Sequence, residues 1–178
     1  MRITAGSLRG RRLRVPEGIR PTTEIARKAA FDMLGEAIVG ARVLDACAGS
    51  GAYGLEALSR GAAHATFVEV NHGVVEVLRG NVERLGAGEK SRIEEMSVAR
   101  FSSTPTPFDV VFHDPPFEEI SESDLRLLLA LVRPGGWLFH ERGDDRAFSP
   151  GGLAPADRRR YGATRFLVFR PTGRRPLR

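Results

Sequence analysis

Cysteine and long apolar runs are scarce in this 178-residue sequence, and both shortages restrict where the protein can work. Cys47 is the single cysteine, so an internal disulfide is excluded and a reducing compartment is favoured. The longest apolar run covers residues 127–132, which is far too short to cross a bilayer. The first residues contain no apolar stretch of signal-peptide length. The sequence therefore predicts a cytoplasmic protein without a membrane segment.

Lysine is also nearly absent, because Lys28 and Lys90 are the two lysines among 27 basic residues. The net charge is nevertheless +5, and arginines crowd the first fifteen and the last twenty-one residues. Basic ends around a near-neutral body indicate a polyanionic partner, and nucleic acid is the expected one. The four histidines lie far apart without metal-ligand spacing, so we expect no metal.

The chain begins with two short extended segments, residues 2–5 and 11–15, separated by Gly6 and Gly10. This pattern predicts a basic β-hairpin, and the residues that follow it predict a linker. We expect an N-terminal extension over residues 1–22 and a catalytic domain over residues 23–178.

Strands and helices then alternate, and the strands are almost continuously apolar. This pattern is typical of an α/β fold with a parallel sheet covered by helices on both faces. A final hairpin adds an antiparallel strand. The predicted strands cover residues 42–46, 65–70, 92–96, 108–113, 137–141, 158–161 and 164–170. The predicted helices cover residues 24–38 and 53–60, a segment from the cap Asn71 to Gly86, and a segment from the cap Ser121 to Val132.

Three acids stand at the carboxyl ends of predicted strands: Asp45, Glu69 and Asp114. Ligands of parallel α/β sheets bind outside those strand ends. Structural acids have no reason to collect there, so these residues indicate a binding site.

A glycine loop joins the first strand of the alternating region to its helix, with Gly49, Gly51 and Gly54 spelling G-x-G-x-x-G. Such a loop binds nucleosides, and Glu69 at the next strand end can hold ribose hydroxyls. Asp45 at the loop would repel the pyrophosphate of a dinucleotide but attract the ammonium of a methionine moiety. The predicted cofactor is therefore S-adenosylmethionine rather than NAD.

The segment from Asp114 to Phe117 reads D-P-P-F and follows a strongly predicted strand. A carboxylate and a backbone carbonyl can accept the two hydrogens of a nucleobase amine and aim its lone pair at a methyl donor. Asp114 supplies the carboxylate, and Pro115, restricted by Pro116, supplies the carbonyl. Phe117 offers a ring on which a flipped-out base can stack.

These motifs resemble the Class I S-adenosylmethionine-dependent methyltransferases, and more narrowly the RsmD family, which methylates the exocyclic N2 of a guanine in bacterial small-subunit ribosomal RNA. The resemblance spans nearly the whole chain. It rests on M-R-I-T-A-G-S-L-R-G-R-R-L at 1–13, R-P-T-T at 20–23, D-A-C-A-G-S-G-A-Y-G-L-E-A-L-S-R-G-A at 45–62, F-V-E at 67–69, D-P-P-F at 114–117 and R-Y-G-A-T-R-F at 160–166.

The resemblance implies a Rossmann-like, seven-stranded, mostly parallel sheet with one reversed strand. It places target-amine binding at Asp114, Pro115 and Phe117. Ser97 stands where the family has an Asp facing the adenine amine, and its hydroxyl can accept one hydrogen bond. His113 replaces a family aliphatic residue and is expected to be structural. The implied donor-binding residues are Asp45, Gly49, Gly51, Glu69, Ser97, Thr22 and Thr23.

The expected macromolecular partner is small-subunit ribosomal RNA, either naked or within an assembling subunit, and the expected oligomeric state is a monomer. The basic hairpin is the expected RNA contact, through Arg9, Arg11, Arg12 and Arg14.

Other functions remain open at this point. The D-P-P-aromatic element also serves adenine-N6 methyltransferases, although the DNA enzymes usually need a separate recognition domain for which this chain has no room. A related N-P-P-Y element serves protein glutamine, but this chain has Asp114 in place of the Asn. A non-catalytic RNA-binding module that retains the fold is the alternative from another class.

Overall fold

A computed structural model describes residues 1–18, 24–101, 106–116, 121–143, 150–161 and 164–172. Within these ranges, strands and helices alternate as predicted. The helices are α1 (Glu24–Leu34), α2 (Ala52–Ser59), α3 (His72–Arg84) and α4 (Glu122–Leu131), with short 3-10 turns at Gly35–Ile38, Gly88–Lys90 and Pro150–Gly152. The strands are β1 (Arg42–Ala46), β2 (His64–Glu69), β3 (Ser91–Glu95), β4 (Phe108–His113), β5 (Val132–Arg142), β6 (Asp157–Tyr161) and β7 (Thr164–Phe169).

The strands of the described residues form one seven-stranded sheet in the order β3-β2-β1-β4-β5-β7-β6. Strands β1 to β5 are parallel to one another, whereas β7 runs antiparallel to both β5 and β6. The predicted fold class is confirmed, including the final hairpin and the reversed strand. Because β1, β2 and β4 are parallel, their carboxyl ends share one edge of the sheet, called the rim below.

Apolar side chains cover both faces of the sheet. On the first face, Phe112 packs with Phe31 of α1, and Leu55 of α2 and Leu78 of α3 belong to the same cluster. On the second face, Val111 shares a cluster with Leu125 of α4. Burial on two sides explains why the central strands are almost continuously apolar in sequence.

Strand β5 begins five residues earlier than predicted. Its first residue, Val132, already pairs with Phe108, and the pairing resumes only at Val110 and Trp137. The intervening residues bulge out of register, and a Cβ on Gly136 would lie 2.8 Å from the Asp109 carbonyl. The Pro-Gly-Gly segment within this bulge breaks the apolar pattern, so the sequence hides the start of the strand.

The N-terminal hairpin packs against α1 and α2 rather than standing apart from them. Its two arms are joined by an Arg2–Arg12 bridge and by a 3.0 Å hydrogen bond from the Ile3 amide to the Arg11 carbonyl. Ile3 and Leu13 are buried in the first-face core. The expected boundary between residues 22 and 23 falls within residues 19–23, which are outside the described residues, so it stays a prediction.

Glu56 of α2 helps to hold the first arm of the hairpin in place. Its fully buried carboxylate accepts hydrogen bonds from the Thr4 amide at 2.8 Å, the Thr4 hydroxyl at 2.6 Å and the Ala5 amide at 3.0 Å. It also pairs with Arg60 at 2.9 Å and with the buried Arg27 at 3.4 Å. Arg27 in turn donates to the Arg2 carbonyl. Burial lowers the pKa of Arg27, and the charge of Glu56 opposes that shift.

Removing this carboxylate should destabilise the whole protein. We expect Glu56→Ala to lower the free energy of unfolding by about 3–5 kcal/mol, because a buried arginine and two amides lose their partner. Urea denaturation measures this change. The matched control is Glu76→Ala on α3, where an exposed carboxylate pairs with Arg79 and the expected loss is below about 1 kcal/mol. Equal losses in both variants would contradict the role of Glu56.

Gly54 allows α2 to approach β2 closely. A Cβ on Gly54 would lie 2.3 Å from the ring of Phe67, which is fully buried on β2. Neither the ring nor the helix can give way without disturbing the core, so any side chain at this position must displace packed atoms.

Alanine at two helical glycines should therefore have opposite effects. We expect Gly54→Ala to destabilise the protein by about 1–3 kcal/mol through overpacking. Gly80→Ala on α3 should stabilise it by about 0.5–1 kcal/mol, because no atom lies within 4 Å of the added Cβ and helix propensity improves. Thermal or urea unfolding compares the two variants. A stabilised Gly54→Ala protein would show that α2 is not held against Phe67.

Candidate active site

The rim brings together the three acids that the sequence singled out. Asp45 lies on β1, Glu69 at the end of β2 and Asp114 directly after β4, on three adjacent strands. They are close enough to influence one another, since the charges of Asp114 and Glu69 contribute to the raised pKa of Asp45. The rim is therefore an anionic site suited to a cationic ligand.

Asp45 is the most buried of the three acids, at 2% exposure. Its Oδ2 accepts a 2.8 Å hydrogen bond from the Gly54 amide in the first turn of α2. Burial raises the pKa of Asp45 to about 8, the hydrogen bond opposes this shift, and the two neighbouring acids add to it. A cation beside Asp45 would favour its charged form and bring that pKa down.

Glu69 links the glycine loop to the start of α3. Its Oε2 accepts the Gly49 amide at 3.0 Å, and its Oε1 accepts the Val70 amide at 2.8 Å and the Asn71 amide at 3.0 Å. Each carboxylate oxygen has two lone pairs, and Oε2 accepts only one of these three amides, so the carboxylate can also accept a hydroxyl. Asn71 caps α3 as predicted, accepting the Val74 amide at 3.2 Å.

The three loop glycines have different structural roles. Gly51 has a φ of +80°, and a Cβ there would lie 2.5 Å from Leu78. Gly49 has a φ of +54°, but nothing lies within 4 Å of its missing Cβ. Gly51 and Gly54 therefore allow close packing, whereas Gly49 leaves open space in front of the loop. This space lies before the N-terminus of α2, next to Glu69.

The other expected donor residues are only partly described. Ser97 is half-buried in the turn after β3, next to the rim, and its carbonyl accepts the amides of Arg100 and Phe101. Thr22 and Thr23 lie outside the described residues.

On the target side, Asp114 is half-buried, Pro115 is buried and Pro116 is exposed. The two prolines turn the chain out of the sheet directly at the rim. Phe117 lies outside the described residues, so its stacking role stays a prediction.

A buried polar cluster beneath the rim was not predicted from the sequence. The Tyr53 hydroxyl donates to Glu141 at 3.0 Å, and the Thr164 hydroxyl donates to the same carboxylate at 3.2 Å. Burial, with the charges of Glu141 and Asp114, raises the pKa of Tyr53 well above its usual range, so the phenol stays neutral. Glu141 lies near the carboxyl end of β5, and the rule that selected the other three acids could have found it.

His113 is structural, as expected. It is buried and stacks on His140 of β5, with ring centroids 5.0 Å apart. Burial, and then the charge of His140, lower the pKa of His113 well below its usual range. His113 is therefore neutral and serves as a packing residue behind Asp114.

Cys47 occupies the loop after β1 with a φ of +61°. Burial first, and the nearby acids next, raise the pKa of its thiol, so it is not an activated nucleophile. In the part of the chain that the structure describes, no three His, Cys, Asp or Glu residues are grouped to hold a metal. The same residues include no helix that is long and apolar enough to span a membrane.

Arg9, Arg11, Arg12 and Arg14 of the N-terminal hairpin are exposed, although the hairpin itself is docked. Arg14 lies at its open end, where the Arg14 amide donates to Asn81 at 2.9 Å and Asn81 donates to the Ser50 carbonyl of the glycine loop. Arg9 lies near the turn, close to Gly6 and Gly10. The Arg11 side chain donates to the carbonyl of Arg84, the last residue of α3, at 3.2 Å. The Arg84 side chain donates to the Arg12 carbonyl at 2.9 Å.

Comparison with known proteins agrees with this geometry. A family model described as "Conserved hypothetical protein 95" matches residues 1–170. Ribosomal RNA small subunit methyltransferase D of Escherichia coli K12 is 42% identical over 143 residues, covering 79% of this chain and 71% of that protein. The protein of the same name from Haemophilus influenzae is 36% identical over 155 residues, covering 82% and 80%.

Solved structures show the same fold. The structure of Escherichia coli yhhF has a TM-score of 0.86 at 33% identity and covers 98% of this chain and 99% of that one. A Salinibacter ruber RNA methyltransferase in complex with S-adenosyl-L-homocysteine has a TM-score of 0.70, covering 88% and 97%. Its 16% identity supports the fold alone.

The family match over nearly the whole chain, the Rossmann-like sheet and the acidic rim around an open glycine loop agree with one another. The chain belongs to the ribosomal RNA small subunit methyltransferase D family, whose methyl donor is S-adenosylmethionine.

Proposed function

We propose that this protein transfers a methyl group from S-adenosylmethionine to the exocyclic N2 amine of a guanine in small-subunit ribosomal RNA. The observation that carries the proposal is the meeting of Asp45, Glu69 and Asp114 at one rim, next to an open glycine loop. The relatives named as ribosomal RNA small subunit methyltransferases support the choice of substrate. We further propose that it acts in the cytoplasm as a monomer.

We assign donor binding to the side of the rim formed by the ends of β1 and β2. We assign the ammonium of the methionine moiety to Asp45 and the ribose hydroxyls to Glu69, with Gly49 leaving room for the nucleoside and Gly51 holding the loop against Leu78. Thr22, Thr23 and Ser97 complete this side, and the Ser97 hydroxyl accepts a hydrogen bond from the adenine amine. When bound, S-adenosylmethionine supplies an electrophilic methyl group.

We assign binding of the target amine to the residues that follow β4. Its lone pair is delocalised into the base, so it needs partners that favour a pyramidal nitrogen. Asp114 and the Pro115 carbonyl accept its two hydrogens, and the carboxylate stabilises the positive charge that grows on nitrogen during transfer. Phe117 supports the flipped-out base. This is catalysis by positioning and electrostatics, without a covalent intermediate on the protein.

The RNA itself is held by charge. Arg9, Arg11, Arg12 and Arg14 are exposed on a hairpin whose open end lies beside the glycine loop, through the contacts of Asn81. We propose that these side chains contact phosphates near the target nucleotide. Their role is compatible with a structural hairpin, because the core contacts come from Ile3 and Leu13 instead.

Donor binding should depend on the charge of Glu69. We expect Glu69→Gln to weaken S-adenosylhomocysteine binding by about 10–150-fold, which corresponds to the 1.5–3 kcal/mol of a charged hydrogen bond. Isothermal titration calorimetry measures the affinity. Glu95→Gln is the matched control, because Glu95 pairs with Glu69 in register on β3 but bonds His72 and Arg79 instead. Unchanged binding in Glu69→Gln would refute the ribose assignment.

Asp114 should control the chemical step. Asp114→Asn keeps the shape but removes the charge, and losing one preorganised partner of this kind usually costs about 10²–10³ in rate. We expect that loss in single-turnover methyl transfer to small-subunit RNA, while donor affinity stays within about threefold. Mass spectrometry of the product nucleosides identifies the methylated atom.

Asp109→Asn provides the control at the opposite end of the same strand. Asp109 accepts the Arg42 amide at 2.7 Å and pairs with Arg133, so its loss affects folding rather than transfer. Full activity in Asp114→Asn would overturn the mechanism. A methyl group on adenine N6 would keep the mechanism and change the substrate, and donor binding without any transfer would indicate a non-catalytic RNA-binding module.

A further inference from the structure

A groove runs along the edge of the sheet between α1 and β6. Its lining combines apolar and aromatic side chains, from Ile25, Met33 and Tyr161, with charged side chains, from Lys28, Asp32 and Arg159. Ile25 is 69% exposed, which is unusual for a large aliphatic residue on a helix that otherwise buries its apolar side chains. None of these residues has a part in donor binding or in transfer as assigned above.

The order and the pairing of the last strands place the groove near the rim. Asp114 follows β4, and β5, β7 and β6 lie beyond β4 in that order. Tyr161 pairs with Thr164, and Thr164 bonds Glu141 at the rim end of β5. Three strand spacings separate β6 from β4, which amounts to about 14 Å. A stacked nucleic-acid strand advances 3.4 Å per nucleotide, so this distance corresponds to about four nucleotides.

The chemistry of the groove matches single-stranded RNA. Unpaired bases stack on aromatic and apolar surfaces, and their phosphates need cations beside those surfaces. Tyr161 is half-buried and packs edge-on against Phe166 at 6.2 Å, which fixes the ring in the groove. Lys28 of α1 and Arg159 of β6 supply the cations.

Each groove cation already has an acidic partner, and these pairs are weak enough to exchange. Lys28 bonds Asp32 at 2.8 Å with both side chains more than half exposed. Arg159 bonds Asp157 at 2.9 Å, also at the surface. Exposed ion pairs contribute little to stability, so a phosphate can replace either acid. Arginines at positions 158, 159 and 160 make β6 a basic edge strand. This charge favours RNA as the occupant of the groove over a protein partner or a second copy of this chain, which is itself basic.

We propose that the groove between α1 and β6 binds the single-stranded RNA that flanks the target nucleotide, about four nucleotides from the methylated base. Lys28 and Arg159 contact its phosphates, and Tyr161 contacts a base. This inference rests on the proposed function, because it takes the substrate to be RNA.

The test compares two arginines on opposite edges of the sheet. Arg159 and Arg92 both lie on edge strands, and each pairs with an acid two residues away, Asp157 and Glu94. Binding is measured with small-subunit ribosomal RNA transcribed in vitro, over a range of salt concentrations and without donor. We expect Arg159→Ala to weaken binding about five- to eightfold at 0.1 M salt and to reduce the salt slope by about 0.7–0.9, whereas Arg92→Ala changes neither.

A second pair of variants separates stacking from charge. Tyr161→Leu should weaken RNA binding with an unchanged salt slope, because it removes a base contact and no cation. Asp32→Asn should tighten binding, since the mutation removes the acid that competes with phosphate for Lys28. Circular dichroism and donor titration confirm that each variant is folded.

The outcomes distinguish this inference from the proposed function. Equal RNA binding by Arg159→Ala and the wild type, or equal losses in Arg159→Ala and Arg92→Ala, would overturn the groove alone. In the first case a protein partner would be the remaining occupant, and in the second the charge effect would be non-specific. If the wild-type protein methylates no RNA amine, but the Arg159→Ala variant still binds RNA more weakly, the proposed function alone is overturned. A wild-type protein that does not bind this RNA would overturn both.

Discussion

The hydrogen bond from the Gly54 amide to the Asp45 carboxylate, 2.8 Å long inside the core, fixes α2 against β1. The absence of a side chain at Gly54 lets the helix sit directly on Phe67. The position of α2 then determines two further features. Its N-terminus and the preceding loop form the open side of the rim, and Glu56 on its next turn holds the N-terminal hairpin. The Gly54–Asp45 hydrogen bond thus links the glycine loop to the docking of the N-terminal hairpin.

The rim is electrostatically costly to build. Three carboxylates share one edge of the sheet, and burial with mutual repulsion raises the pKa of Asp45 to about 8. The protein offsets part of this cost with backbone amides, from Gly54 to Asp45 and from Gly49, Val70 and Asn71 to Glu69. A ligand that carries both an ammonium and a sulfonium would relieve the remaining repulsion. If the donor binds at the rim as proposed, its affinity has the same physical origin as the repulsion among the carboxylates.

Two groups of basic residues differ in what surrounds them. Arg27 and Arg60 are structural, since they neutralise the buried Glu56. The arginines of the N-terminal hairpin and of β6 extend into solvent from elements that are themselves well anchored. Rigid elements that carry exposed cations suit a polyanion, because the side chains need little further ordering to meet phosphates. The two basic elements lie at different places around the rim, which suits an RNA substrate that passes across it.

Sequence alone determined the elements whose patterns are local. Strands β1 and β4 have the predicted bounds, since each is an apolar run between polar residues, and α3 begins at the predicted cap because Asn71 bonds its first turn. The three rim acids were also predictable, because parallel strands must end at a common edge. Tertiary structure decided what depends on contacts between distant residues. The Glu141 cluster needs Tyr53 and Thr164 from separate elements, β5 gains residues through an irregular pairing with Phe108, and the groove exists only because α1 lies beside an edge strand more than 120 residues away in the chain. Local sequence specifies backbone preference and amphipathic pattern, but which side chains meet across the fold is fixed only when the sheet is assembled.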